Sequence, residues 1–230
     1  MTLDILKTYF EPLFDGALWT IALFVVSAVL SVAVGLGVCF CRMSSHPALR
    51  SAAKTYIEIV RGTPLLVQLF FIYYGLPELG IVMPGFMAGV LGLMLNFGAY
   101  LAELFRGGVQ AVDAGQFEAS RALGLSRAQR MRVIVIPQAL RTIFPALGNY
   151  ALVLVKDTSL VAVISVYELM RAGQMLAGAT FRSLLVYSLV GAMYFAMCAV
   201  LSHLFRRAEK KLSVPGYWDG ASDHNPAAKI

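Results

Sequence analysis

Residues 16–41 run without a single charged side chain. A helix of that length, at about 1.5 Å per residue, crosses a hydrocarbon core of about 30 Å. The bilayer interior has no water to satisfy peptide groups, so a spanning segment must be a helix or part of a closed barrel. The run shows no strand-like alternation, and it predicts a first transmembrane helix over roughly 18–41. The rest of the chain follows that lead. It is 59% hydrophobic and only 14% charged, where soluble domains are about a quarter charged. Its mean hydropathy is +0.73. Cys39, Cys41 and Cys198 lie inside apolar runs and read as buried thiols, not as a disulfide framework. The net charge of +6 is placed between the apolar runs, which points to a membrane surface and away from nucleic acid.

Four more spans follow. Residues 1–15 are slightly acidic and lack the basic start of a signal peptide. Residues 42–54 form a basic loop. The uncharged run 62–77 is short for a span, so its helix is expected to start near Tyr56 and to take in Glu58 and Arg61 as a pair three apart. Gly62-Thr63-Pro64 should bend it. A third span is expected over 84–105, with Pro84 in its first turn and Glu103 and Arg106 at its far end. Residues 142–155 and 158–167 make the fourth, with Lys156 and Asp157 inside it. Residues 168–182 read as a polar connection, 183–205 as the fifth span, and 213–230 as a loose tail. The fold class is therefore all-α integral membrane, with about five transmembrane helices. Arg42, Arg50, Lys54, the arginines from Arg106 to Arg141, and Arg206 to Lys211 fall on one side. The positive-inside rule makes that side cytoplasmic, with the N-terminus outside.

Residues 116–137, QFEASRALGLSRAQRMRVIVIP, form the longest polar segment between apolar blocks. Residues 118–125 carry a compact helix signal, with Gly124 as its stop. Ser126 caps a second helix from about Arg127, and Pro137 is expected to interrupt that helix before the fourth span. Two short helices joined at a glycine can insert into a groove of a cytoplasmic partner. Basic interfacial segments also serve as mere membrane anchors, and spacing alone leaves the two readings level.

EASRALG at residues 118–124, followed by IVIP at 134–137, resembles the EAA loop of bacterial ABC importer permeases. Ser120 stands where that family usually has Ala, and Ile136 where it usually has Leu. RGTPLLVQLFFIYYG, NFGAYLAELFRGG, PQALR and KDTSL resemble the polar-amino-acid branch (histidine, glutamine, arginine or cystine permeases) over about residues 16–207. The resemblance implies a type I transmembrane domain over 16–207, an extracytoplasmic segment over 1–15 and a cytoplasmic tail over 208–230. It implies ATPase coupling through Glu118, Ala119, Ser120, Arg121, Leu123, Gly124, Ile134 and Pro137. It also implies several partners: ABC ATPase subunits, a second permease subunit, an extracytoplasmic amino-acid-binding protein and the lipid of the bacterial inner membrane. No cofactor is expected in this chain, because ATP is bound by the partner.

Ionisable residues inside a span are costly and usually functional. Asp157, with Thr158, Asn96 and Gln68, is a candidate lining of the substrate path. Lys156 and Asp157 either face that path or neutralise each other. The sequence contains no H-E-x-x-H, G-x-S-x-G or C-x-x-C, which argues against an enzyme. It contains no G-x-x-x-x-G-K-[ST] to cradle nucleotide phosphates. The competing class is an ion-coupled secondary carrier. Such carriers often show two related halves with broken helices in matching positions, and this chain shows no repeat.

Overall fold

The computed structural model describes the backbone of residues 2–212 and the side chains of residues 7–211; the expected tail over 213–230 lies outside the described residues. Among the described residues the chain is helical, with no strand. Four helices are long and apolar enough to cross a membrane: Lys7–Arg42, Gly85–Gln110, Arg127–Ile164 and Ser183–Lys211. A fifth span exists if the bent pair Pro47–Gly62 and Leu65–Leu79 is taken as one.

Helix α1 covers Thr2–Arg42 and so begins earlier than the apolar run that announced it. Tertiary burial explains the extension. Leu13 and Ala17 pack into a cluster with Leu169, Ala172, Val186 and Val190, although acidic residues surround them in sequence. Helix α2 (Pro47–Gly62) also starts before the expected point near Tyr56, with Pro47 in its first turn. Proline costs little there because that N–H has no partner within the helix. Thr63 is extended (φ −120°, ψ 143°), the conformation forced on a residue before proline, and the chain turns by 106° into α3 (Leu65–Phe70). A π turn, Phe71–Gly75, and a 3-10 turn, Leu76–Leu79, complete that arm. Glu58 and Arg61 do not pair. Glu58 meets Lys54 at 3.5 Å, one turn back on the same helix.

Helix α4 (Gly85–Gln110) is the centre of the bundle. It lies against α1 at a glycine contact: a Cβ on Gly98 would stand 2.6 Å from Val34, and one on Gly35 would stand 2.8 Å from Leu101. Small residues at such crossings let membrane helices approach closely, and close packing is what holds helices together in lipid. The expected Glu103–Arg106 pair is present at 2.6 Å, with Arg42 at 3.9 Å from the same carboxylate. The main core joins Leu23, Leu65, Leu69, Leu93, Phe97, Leu154 and Val161, from α1, α3, α4 and the fourth span.

Two expectations about the second half need correction. Pro137 does not interrupt its helix. The turn before it, Met131–Val135, opens to π geometry, and α7 (Ile136–Asp157) continues without a break. A π turn displaces the hydrogen-bond ladder by one residue, which absorbs the N–H that proline lacks. Residues 168–182 are more than a polar connection. They contain helix α8 (Leu169–Thr180), with Leu169, Ala172, Gly173, Leu176 and Ala177 buried. The spacing is one helix face, at i, i+3, i+4, i+7 and i+8. Helix α9 (Ser183–Leu212) closes the described chain.

Candidate functional site

The polar segment folds as two short helices around a tight turn. Asp113 opens α5 (Ala114–Ala122), its side chain accepting the Gly115 N–H at 2.7 Å. At the far end Gly124 is left-handed, with φ 70°. The Gly124 N–H donates to Arg121 O and the Leu125 N–H to Ser120 O, the paired closure that a left-handed glycine permits. Ser126 then starts α6 (Arg127–Arg130) with a reciprocal cap. The Gln129 N–H donates to Ser126 Oγ at 3.3 Å, and the Ser126 N–H donates to Gln129 Oε1 at 2.9 Å.

The turn is fixed from below. Val112, Val135 and Ala139 are buried, with Val109, Phe117 and Met131 packed on them. Burying one such aliphatic side chain is worth about 1.5–3 kcal/mol. Ser120 is 1% exposed, and its hydroxyl donates to Phe117 O at 2.8 Å. A Ser in place of Ala is thus accommodated inside the loop, facing away from its surface. Arg130 lies over the Phe117 ring at 6.0 Å. Glu118, Ala119, Arg121 and Gly124 remain exposed, and Leu123 projects with 76% of its surface free. The eight loop residues therefore divide. Glu118, Ala119, Arg121, Leu123 and Gly124 form an outer surface, Ser120 sits within, Ile134 is half-buried, and Pro137 stands where the loop enters α7.

The four candidate path residues also divide. Asn96 Nδ2 donates to Gln68 Oε1 at 3.1 Å, joining α4 to α3. Gln68 in turn donates to Val60 O (2.8 Å) and Thr63 O (3.1 Å), so it bridges the bend in the second span. Thr158 is fully buried and spends its hydroxyl on Val155 O at 2.6 Å. Asp157 is half-buried, and Lys156 beside it is exposed. The two form no ion pair among the described residues. Sequence reasoning missed an aromatic row next to this cluster. The Arg61 guanidinium lies 5.1 Å over the Tyr100 ring, and Tyr100 is 6.0 Å from Tyr150. Tyr100 is one turn from Asn96 on α4, and that i, i+4 spacing was the available signal.

Residues 29–214 match the family model described as binding-protein-dependent transport system inner membrane component. The chain belongs to this family. The glutamine transport system permease protein GlnP of Escherichia coli strain K12 is 39% identical over 204 residues, covering 88% of this chain and 93% of that protein. The probable amino-acid ABC transporter permease protein YckA of Bacillus subtilis strain 168 is 38% identical, over 88% of this chain and 89% of its own length. A solved structure described as an amino acid ABC transporter with histidines superposes with a TM-score of 0.86 at 40% identity, covering 91% of this chain and 97% of that one. A chain of the MetNI methionine ABC transporter, at 19% identity, shares the fold with a TM-score of 0.77. As an inner membrane component of this kind, the chain is a transport subunit and not an enzyme, and ATP hydrolysis belongs to a separate partner.

One further cluster of this inner membrane component escaped the sequence reading. Glu168 is fully buried at the start of α8. Its carboxylate accepts from the Met170 N–H (2.9 Å), the Arg171 N–H (2.7 Å) and Tyr194 Oη (2.7 Å), and lies 3.4 Å from Thr20 Oγ1. Burial pushes the carboxyl pKa up, and the hydrogen bonds from Tyr194, Met170, Arg171 and Thr20 pull it back. One side chain thereby ties α8 to α1 and α9. Its position just before an apolar i, i+3, i+4 pattern was the N-cap signal in the sequence.

Proposed function

We propose that this chain is the permease subunit of an ATP-driven importer that moves a polar amino acid across the bacterial cytoplasmic membrane. The ATPase subunits engage the outer surface of α5 and its glycine turn. The N-terminus lies outside and the loop inside, as the basic residues require. A second permease subunit completes the pathway, and an extracytoplasmic binding protein delivers the substrate. The relatives named for glutamine and amino-acid transport support the substrate class.

The observation that carries the coupling role is the loop's construction. Its underside is packed and doubly capped, while Glu118, Arg121 and Leu123 stand free on a rigid turn. A segment meant only to rest on headgroups has no need of such a turn. The second half of the loop, from Arg127, also continues into the fourth span without a break, so displacement of the capped turn reaches the membrane interior. Substrate handling is assigned to Gln68, Asn96 and Asp157, with Thr158 holding the helix end beneath them.

Glu118→Lys tests the reading. Wild type purified in mild detergent retains an ATPase subunit; the variant loses it while staying folded, because Glu118 is exposed. Failure of wild type to retain any ATPase overturns the proposal and leaves an ion-coupled carrier.

A further inference from the structure

A groove of about 640 Å³ lies between α1 and α7 at the end that carries the polar loop, and Phe105 and Val109 of α4 also line it. On one wall the lining runs from Val32 of α1 to Met43, in the turn that closes that helix, and on α7 from Leu147 to Ile136. Each stretch advances eleven residues, about 17 Å at about 1.5 Å per residue. Half of a hydrocarbon core of about 30 Å is close to that length. The groove is therefore as long as the acyl chains of one leaflet are deep.

Its chemistry is graded along that length. Apolar side chains form the body, and Phe40 (70%) and Leu140 (49%) stay exposed along it. Polar groups occur at one end alone. Arg127 is the single charged lining residue, and it makes no ion pair among the described residues. Ser44 and Ser45 stand at the same end. Ser44 Oγ accepts the His46 N–H at 3.1 Å, which leaves its O–H free to donate. A cation and hydroxyl donors above a leaflet-deep apolar slot complement an anion joined to a hydrocarbon chain.

We propose that this groove binds one anionic phospholipid, with an acyl chain between α1 and α7 and the phosphate at Arg127 and the Ser44–Ser45 hydroxyls. The lipid then fills the gap beside the start of α7 and extends the packing under the polar loop, since Val109, Met131 and Ala139 of the core beneath the loop also line the groove. This holds whichever amino acid the transporter carries, since no candidate path residue lines the groove.

Native mass spectrometry of the delipidated full chain, titrated with dioleoyl phosphatidylglycerol or dioleoyl phosphatidylcholine, tests it. One phosphatidylglycerol is retained at collision energies that strip phosphatidylcholine. Arg127→Gln lowers its apparent affinity about fivefold, the loss expected for one basic side chain at an anionic surface. Arg132→Gln, exposed and outside the groove, leaves it unchanged. Leu36→Trp narrows the slot from an exposed lining position and weakens both lipids. Equal retention of the two lipids, or equal losses in Arg127→Gln and Arg132→Gln, means annular or diffuse charge binding and overturns the proposal. Disappearance of the adduct when the ATPase and second permease subunit are assembled shows that protein covers the groove, and overturns it too.

Discussion

Glu168→Ala is the substitution whose cost follows most directly from the geometry. It removes the N-cap of α8, since the Met170 and Arg171 N–H groups both end on this carboxylate. Losing such a cap costs about 1 kcal/mol. It also strands Tyr194 Oη, which donates to Glu168 at 2.7 Å between α8 and α9. A buried donor left without an acceptor costs about 1–3 kcal/mol. Relief of the buried carboxyl works in the other direction, against the hydrogen bonds from Tyr194, Met170, Arg171 and Thr20 that hold its charged form. The net loss is about 3 kcal/mol. For a chain of this size each kcal/mol moves Tm by about 2–4 °C, so thermal unfolding in detergent, followed by size-exclusion fluorescence, should fall by about 6–12 °C. Glu168→Gln keeps the volume and one acceptor and should lose less than half of that.

The carboxyl adds a pH signature. Its folded pKa is raised above the ordinary value of 4.5. The folded state therefore binds the proton more tightly than the unfolded state. That contribution is present in full below 4.5 and is lost as pH rises through the folded value. The Tm difference between wild type and Glu168→Gln should shift against wild type across that window. If Glu168→Ala melts within about 2 °C of wild type, or Glu168→Gln is equally damaging, the network does not hold α8 and the reasoning fails.

Two substitutions probe the transport machinery itself. Gly124→Val forces a branched side chain into a left-handed turn at a cost of about 1–2 kcal/mol; substrate-stimulated ATP hydrolysis in proteoliposomes should fall severalfold, whereas Gly124→Asn, which tolerates that conformation, should retain most of it. Asp157→Ala should abolish amino-acid uptake while ATPase co-purification is unchanged, and persistent uptake would remove Asp157 from the path.

The parts of the molecule that were legible in the sequence are those set by local rules. Uninterrupted apolar runs placed α4 and α9 to within about two turns, and Thr63-Pro64 placed the bend. The Gly124–Ser126 pair placed the turn between α5 and α6 at its observed residues. What stayed hidden depends on partners far along the chain. The start of α1 rests on Leu13 meeting α8 and α9, and α8 rests on Glu168 finding Tyr194 twenty-six residues later. Arg61 was assigned to its i−3 neighbour because helix spacing allows that pair, but the Tyr100 ring on another helix takes it. Pro137 misled for a different reason. Sequence rules treat proline as a break, and they have no term for a π turn that absorbs it.

That absorbed proline has a mechanical meaning. From Arg127 to Ile164 the chain is one helical rod of 38 residues, about 57 Å long. A rod transmits torque where a hinged chain would dissipate it. Pro145, past the first turn of α7, is its soft joint, because the hydrogen bond missing there lowers bending stiffness at that level. A push on the loop should therefore arrive at Asp157 as rotation about the rod's own axis more readily than as a change of length, and the polar groups at its far end would turn together.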